Sequence, residues 1–276
     1  MILRYAAFTT DPATGNPAGV VLDAEGLTDE EMQRIATDVG YSETAFAVPV
    51  ADRRFAVRYF SPLAEVPFCG HATIATAVAL AERDGPAPVR FDTKAGEIPV
   101  HTELRNEIVA TLTSVPTRSR PATDDELTRT LTALNWSTDD VNPAWPVHVA
   151  FAGNDHLMLA AATRARLATL DYDFEALRSL MLDAGWTTLQ LFWPETDHEV
   201  HARDPFPVGG VVEDPATGAA AAAFGGYLRA IGRVTEPREL TIVQGEDMGR
   251  RSELTVTVHP ADPRVRVTGT ATRIPA

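Results

Sequence analysis

A chain of 276 residues that is 45% hydrophobic and 22% charged has apolar material for a sizeable core and, at roughly 150 residues per domain, for two domains. Its formal net charge of −14 argues against nucleic acid and anionic membrane as partners, since both need basic surfaces; a small anion held in a local pocket remains compatible. A single cysteine excludes an intrachain disulfide and any chemistry that needs two thiols from one chain.

The opening "MILRYAAFTT" has neither a basic n-region nor a long apolar run, so no signal peptide is expected. No stretch approaches the ~20 apolar residues of a membrane span, and a cytoplasmic setting is expected. The first helix expected is "TDEEMQRIATDVG" (28–40), with Thr28 as N-cap, Glu31 closing a capping box and Gly40 as a left-handed C-cap. Strands follow at "FAVRYF" (55–60), "VRFDT" (89–93), "EIPVHTEL" (97–104) and "IVATLTSV" (108–115), interrupted by "CGHATIATAVALAER", an Ala-rich helix opened by a glycine. The aperiodic "SVPTRSRPATDD" (114–125) reads as the domain boundary. A second capping box, Thr123 with Glu126, starts the next helix.

Strands return at "HVAFAG" (148–153), "HLMLAA" (156–161), "TLQLFWP" (188–194) and "VHARDP" (200–205). After "EDPATGAAAAAFGGYLRAIG", again a glycine opening an Ala-rich helix, come "ELTIVQG" (239–245), "ELTVTVHP" (253–260) and "RVRVTGTATRI" (264–274). Many strands and few helices predict an α+β fold. Ala-rich helices tolerate burial on every side, as a helix wrapped by sheet requires. The two halves repeat one another: a strand ending in Ser-Pro or Asp-Pro, a turn, then a Gly-started helix.

No G-x-G-x-x-G, G-x-x-x-x-G-K-[ST], G-x-S-x-G or H-E-x-x-H occurs. The seven histidines are scattered, with no helically spaced partner for His156 or His198, so neither a metal nor a cofactor is expected. The chemistry concentrates at the two helix starts, Gly70–Thr73 and Thr217–Ala219. Each presents unpaired N–H groups and the positive end of a dipole, and Gly70 and Gly218 let a carboxylate approach the backbone. Glu43, in "GYSETAF" between Tyr41 and Phe46, is a carboxyl whose apolar surroundings would raise its pKa and fit it for proton transfer. His71 reads as a second acid–base group or a helix cap, and Asp214 as a turn residue, N-cap or proton relay. Cys69 is open to three readings: nucleophile, metal corner, or small buried residue.

The segments "FTTDPATGNPAGVVLDAEGL", "YSETAFAVP", "RYFSPLAEVPFCGHATIATAVAL", "GVVEDPATGAAAAAFGGYL" and "QGEDMGR" occur in an order that resembles the phenazine-biosynthesis PhzF-like family across nearly the whole chain. The resemblance implies a diaminopimelate-epimerase-like fold: two similar domains, each a barrel-like sheet around a central helix, with the active site in the cleft between them. The boundaries expected are 1–116 and 117–264, with a final strand near 265–276 returning to the first domain. It further implies a cofactor-independent isomerase in which the S-E-T glutamate, here Glu43, moves a proton on a small cyclic hydroxy-amino acid. Carried over, His71 and Asp214 join Glu43 as catalytic residues. Asn16, Gly70, Thr73, Thr217, Gly218 and Ala219 contact a small anionic metabolite, and the protein is a homodimer. Where the family's T-G-S-A has serine this chain has Ala219, which removes one hydroxyl and bears on the substrate. Related epimerases and racemases set two cysteines across the substrate; here Cys69 stands near one position and Thr217 near the other, which disfavours two-thiol racemisation. A non-thiol epimerase or racemase, or a binding protein without turnover, are the alternatives.

Overall fold

The computed structural model describes residues 1–275 and divides into two compact units, Met1–Thr113 with Thr268 onward, and Ser114–Val267. The first contains β1 (Leu3–Ala7), β2 (Asn16–Val21), α1 (Asp29–Val39), β3 (Glu43–Ala51), β4 (Arg54–Phe60), the two-residue β5 (Glu65–Val66), α2 (Gly70–Asp84), β6 (Pro88–Thr93), β7 (Gly96–Leu104) and β8 (Ile108–Thr113). The second contains β9 (Arg118–Pro121), α3 (Asp124–Ala133), β10 (His148–Phe151), β11 (Asp155–Ala160), α4 (Arg164–Ala168), α5 (Phe174–Ala184), β12 (Trp186–Pro194), β13 (Glu199–Pro205), β14 (Glu213–Asp214), α6 (Gly218–Ala230), β15 (Arg238–Gln244) and β16 (Ser252–Val258). The last strand, β17 (Val265–Arg273), begins in the second unit and ends in the first.

In the first unit the pairings run β1–β2–β3–β4–β6–β7–β8–β17 and back to β1, a closed ring of eight strands. A barrel of eight strands ordinarily holds only side chains. This one holds a helix, because α2 is built largely from small residues: His71 to Ala81 is an unbroken buried run, packed against β1, β2, β3, β7 and β8. In the second unit β9–β10–β11–β12–β13–β15–β16 form a continuous sheet packed on α6, whose residues 220–228 are buried. The α+β class and the sheet-wrapped Ala-rich helices agree with the sequence reading.

The outer sheet faces carry the amphipathic helices. Met32 and Ala36 of α1 pack on Phe46 and Phe60, while Leu177, Leu180 and Met181 of α5 join Leu157, Leu189 and Leu191. Strands covered on both faces lose the alternation that marks a half-buried strand. That is why β1, β2 and β3 precede the first strand read from the sequence; Thr44–Ala47 of β3 are all buried. The stretch 114–125, read as aperiodic boundary, contains β9, which pairs antiparallel with β10. Both capping boxes form as read, and Gly40 is left-handed at φ 72°.

Gly225 lies where α6 meets the sheet; an added Cβ would sit 2.8 Å from Val258 and from Val265. Gly225→Ala gains about 1 kcal/mol of helix propensity. Overpacking costs about 1–3 kcal/mol. The net result expected in urea denaturation is a lower midpoint with an unchanged slope. Among the described residues no helix is long and apolar enough to cross a membrane.

Candidate active site

In the first unit β4 leaves the barrel through Ser61-Pro62 and β5 pairs back on it, Tyr59 with Val66 and Phe60 with Glu65. Arg58 and Glu65 fasten this return with two parallel hydrogen bonds of 2.8 and 2.7 Å. A bidentate pair of this kind fixes direction as well as distance. It aims Pro67-Phe68-Cys69 so that α2 starts at Gly70 with Cys69 as an N-cap that makes no side-chain cap. Thr73 donates to the Cys69 carbonyl at 2.6 Å and meets Tyr59 Oη at 2.6 Å, holding the first turn from inside.

Glu43, the first residue of β3, comes to this helix start. Its Oε2 lies 3.3 Å from His71 Nε2 and 3.5 Å from Cys69 Sγ. Sγ is 3.3 Å from His71 Nδ1 and 3.7 Å from Nε2, and Ser42 Oγ is 3.3 Å from Nε2. Burial raises the Glu43 carboxyl pKa, and hydrogen bonds from Ser42 and Cys69 only partly oppose it. Asn16, buried at the start of β2, stands two residues before Ala18, the residue facing Glu43 in register.

The second unit repeats the device. β14 returns on β13 with Asp204 facing Asp214 and Pro205 facing Glu213. Arg203 and Glu213 make the matching bidentate pair at 3.0 and 2.5 Å, and α6 starts at Gly218, five residues after Glu213, as Gly70 follows Glu65. Thr217 donates to Asp214 Oδ2 at 2.6 Å. Gln244, buried at the end of β15, accepts from the Thr217 amide at 3.0 Å and donates to the Asp214 carbonyl at 2.8 Å.

Counting through the two sets of registers gives each residue a counterpart. Cys69 matches Thr217, His71 matches Ala219, and Tyr59 matches Asp204. Glu43, facing Ala18, matches Thr188, which faces His156. The glutamate–imidazole pair of the first unit thus has threonine and alanine in its place in the second. Thr188 belongs to a buried polar cluster within the second unit. Thr188 donates to Asp204 Oδ2 at 3.3 Å, His156 Nδ1 is 2.8 Å from the same hydroxyl, and Gln190, its amide nitrogen turned to the carboxyl, donates at 3.2 Å to both oxygens.

A family model for phenazine biosynthesis-like protein matches residues 5–275. The chain belongs to that family. It is similar to an uncharacterised isomerase, YfhB, of Bacillus subtilis, 31% identical over 99% of this chain and 95% of the other. It is also similar to the trans-2,3-dihydro-3-hydroxyanthranilate isomerase of Pseudomonas aeruginosa, 31% identical over 94% and 90%. A solved phenazine biosynthesis protein of the PhzF family from Bacillus anthracis matches with a TM-score of 0.89 at 29% identity, over 99% and 96% of the two chains. A probable proline racemase from Agrobacterium radiobacter, at TM-score 0.66 and 15% identity over 98% and 90%, shares the fold. The chain is an enzyme of the isomerase class, as its named relatives are.

For this phenazine biosynthesis-like enzyme the sequence reading named Glu43, His71 and Asn16 in the first unit, and the first two are in contact. Gly70 opens α2 beside them, and Cys69 joins them through its thiol. Thr73 faces inward, with its hydroxyl committed to Cys69 and Tyr59. In the second unit Asp214 and Thr217 are bonded to each other, and Gly218 and the half-buried Ala219 form the first turn of α6.

Gln244, Asp204, Thr188, Gln190 and His156 were not foreseen. The one signal for Gln244 is its place in "QGEDMGR". The repeat R-Y-F…E-x-P-x-C-G and R-D-P…E-x-P-x-T-G carried a signal for Asp204.

Asp204 is fully buried. Burial first, and then the negative Asp214, raise its pKa well above the usual carboxylate range. The folded state therefore holds this proton where the unfolded chain has released it. That contribution to stability is complete below the unfolded value of 3.8 and is lost as pH rises through the higher folded value. Asp204→Asn, neutral at every pH and nearly isosteric, should flatten this part of the curve. Urea denaturation of both proteins as a function of pH reads the difference; equal slopes refute a neutral Asp204. His156, pushed down to about 3 by burial, stays neutral throughout this window until strongly acid pH.

Proposed function

We propose that this isomerase moves a proton on a small, carboxylate-bearing cyclic amino or hydroxy acid without a cofactor, with Glu43 taking the proton and returning it. The observation that carries this reading is Glu43 itself: a carboxyl largely withdrawn from solvent, its side chain 16% exposed, with a raised pKa and in contact with His71 and Cys69 at a helix start that the Cys69 side chain does not cap. A base whose pKa approaches the working pH abstracts a proton and gives it back with little cost in either direction. The carbon beside a carboxylate is acidic enough for such a base only if the developing negative charge is stabilised. The amides and dipole at the start of α2 supply that stabilisation from a fixed position.

In this scheme His71, 3.3 Å from Glu43, orients the carboxyl and exchanges protons with it. Asp214, held by Thr217, orients the ligand at the start of α6. A single thiol cannot serve both faces of a stereocentre, which favours a carboxylate over a two-cysteine mechanism. The relative named as a dihydro-hydroxyanthranilate isomerase supports a cyclic acid as the substrate class.

Incubation with cyclic amino and hydroxy acids in D₂O tests the proposal. Deuterium should enter one ring position together with a shifted double bond. Loss of optical rotation with no positional isomer would replace the reading with epimerisation. Tight binding with no deuterium in any ligand would overturn turnover altogether.

A further inference from the structure

We propose that Glu43, Cys69 and His71 form a site for a soft divalent cation of the zinc class, and that the bound cation switches the proton-transfer site off. Oε2, Nε2 and Sγ form a triangle with sides of 3.3, 3.5 and 3.7 Å. Zinc bonds of about 2.0–2.2 Å to oxygen and nitrogen and about 2.3 Å to sulfur, at tetrahedral angles, set donor–donor separations of roughly 3.3–3.6 Å. The imidazole must turn to complete the set, because Sγ lies nearer Nδ1, at 3.3 Å, than Nε2 and so stands beside the ring and not in front of the Nε2 lone pair.

Charge favours the same occupant. A cation at a helix N-terminus opposes the dipole. Here a thiolate and a carboxylate would cancel both charges of the ion, and neutral His71 adds none. Thiolate with imidazole selects zinc or cadmium over magnesium or calcium, and metal displaces the thiol proton on binding. Three protein donors leave the fourth position to water. A second grouping, Glu195 and Glu199 with His201, has its carboxylates roughly half exposed and contains no sulfur, which suits a soft ion less well.

Binding does not depend on the function proposed above; switching off does, because it assumes that Glu43 is the base. A cation holding the Glu43 oxygen removes the lone pair that would accept the substrate proton.

Protein stripped with EDTA and dialysed is titrated with Co²⁺ and then Zn²⁺. One Co²⁺ per chain should give intense tetrahedral d–d bands and a thiolate-to-cobalt charge-transfer band, both abolished by one equivalent of Zn²⁺. Since Cys69 is the only cysteine, that band can report no other residue. Cys69→Ser and His71→Ala should each weaken Zn²⁺ by at least about 100-fold, judged against the 10–100-fold typical of outer-shell losses. Glu195→Gln/Glu199→Gln should leave it unchanged.

No charge-transfer band in wild type, undiminished affinity in Cys69→Ser, or loss of affinity in the Glu195/Glu199 variant would each overturn the site. Deuterium exchange is then measured on metal-free protein, after one equivalent of Zn²⁺, and after EDTA. Loss and recovery support the switch, and full exchange with the cobalt spectrum present overturns it. Absence of exchange in metal-free protein would overturn the Glu43 reading instead, while the spectrum still decides the metal site.

Discussion

Glu43→Gln will lose about 10²–10⁴-fold in deuterium incorporation, the range that a positioned acid–base group supplies. The amide keeps the shape and most hydrogen bonds of the carboxyl but cannot accept and return a proton. Wild-type exchange requires the carboxylate, so its rate should fall on acidification through the Glu43 pKa. That fall will come at a higher pH than for an ordinary glutamate, because burial raises this group above 4.5.

Stability moves the opposite way. Folding favours the protonated form, so this contribution is present below the unfolded value and lost as pH rises through the folded one. Glu43→Gln escapes the loss and should be more stable than wild type at neutral pH. Exchange rate and urea midpoint, measured on the same two proteins from acid to neutral pH, check both signs. A glutamine variant that exchanges at the wild-type rate would remove Glu43 from the chemistry.

Arg203→Met will be the most destabilising single change at the second helix start, by about 3–5 kcal/mol, because it leaves Glu213 charged and buried without a partner. The side chains of this pair are only 9% and 3% exposed, against 30% and 13% for Arg58 and Glu65. Arg203 also donates to the Ala168 carbonyl at 2.7 Å, which would lose that donor. Arg58 has Asp29 as a further partner, and Lys94 remains beside Glu65, so Arg58→Met leaves a better-solvated carboxylate with another cation at hand. Its cost should be nearer the ~1 kcal/mol of an accessible pair.

The double variant Arg203→Met/Glu213→Leu should recover much of the loss, since no charge is then stranded. Denaturation of the three variants forms the test. Equal costs for Arg203→Met and Arg58→Met would show that burial does not set the strength of these clamps. At a typical total of about 5–15 kcal/mol, losing 3–5 leaves a marginal protein.

Local features were the legible ones. The capping boxes at Thr28 and Thr123 involve atoms three residues apart, so their chemistry is written in one short string. The helix starts at Gly70 and Gly218 were readable for the same reason. Glu43 could be suspected from its apolar neighbours, but its contact with Cys69 spans 26 positions and depends on the register of β3 beside β2.

The Asp204 cluster was hidden by the pattern rule itself. In a strand with one wet face, Thr188, Gln190 and Asp204 would read as solvent-facing; here both faces are covered, and they turn inward. The paired clamps left a trace in both halves, but the return takes seven residues from Arg58 to Glu65 and ten from Arg203 to Glu213, enough to mask the repeat.

The last strand has a consequence for synthesis. β17 closes the ring by joining β1 to β8, yet in the chain it follows the whole of the second unit and is made after it. Until then the nascent first unit is an open sheet with two unpaired edges, the kind of surface that recruits other chains. The second unit, Ser114–Val267, is threaded through that gap in sequence and is complete first. The ring therefore closes only after the inserted segment has been made, when β1, already paired with β2, gains its second neighbour.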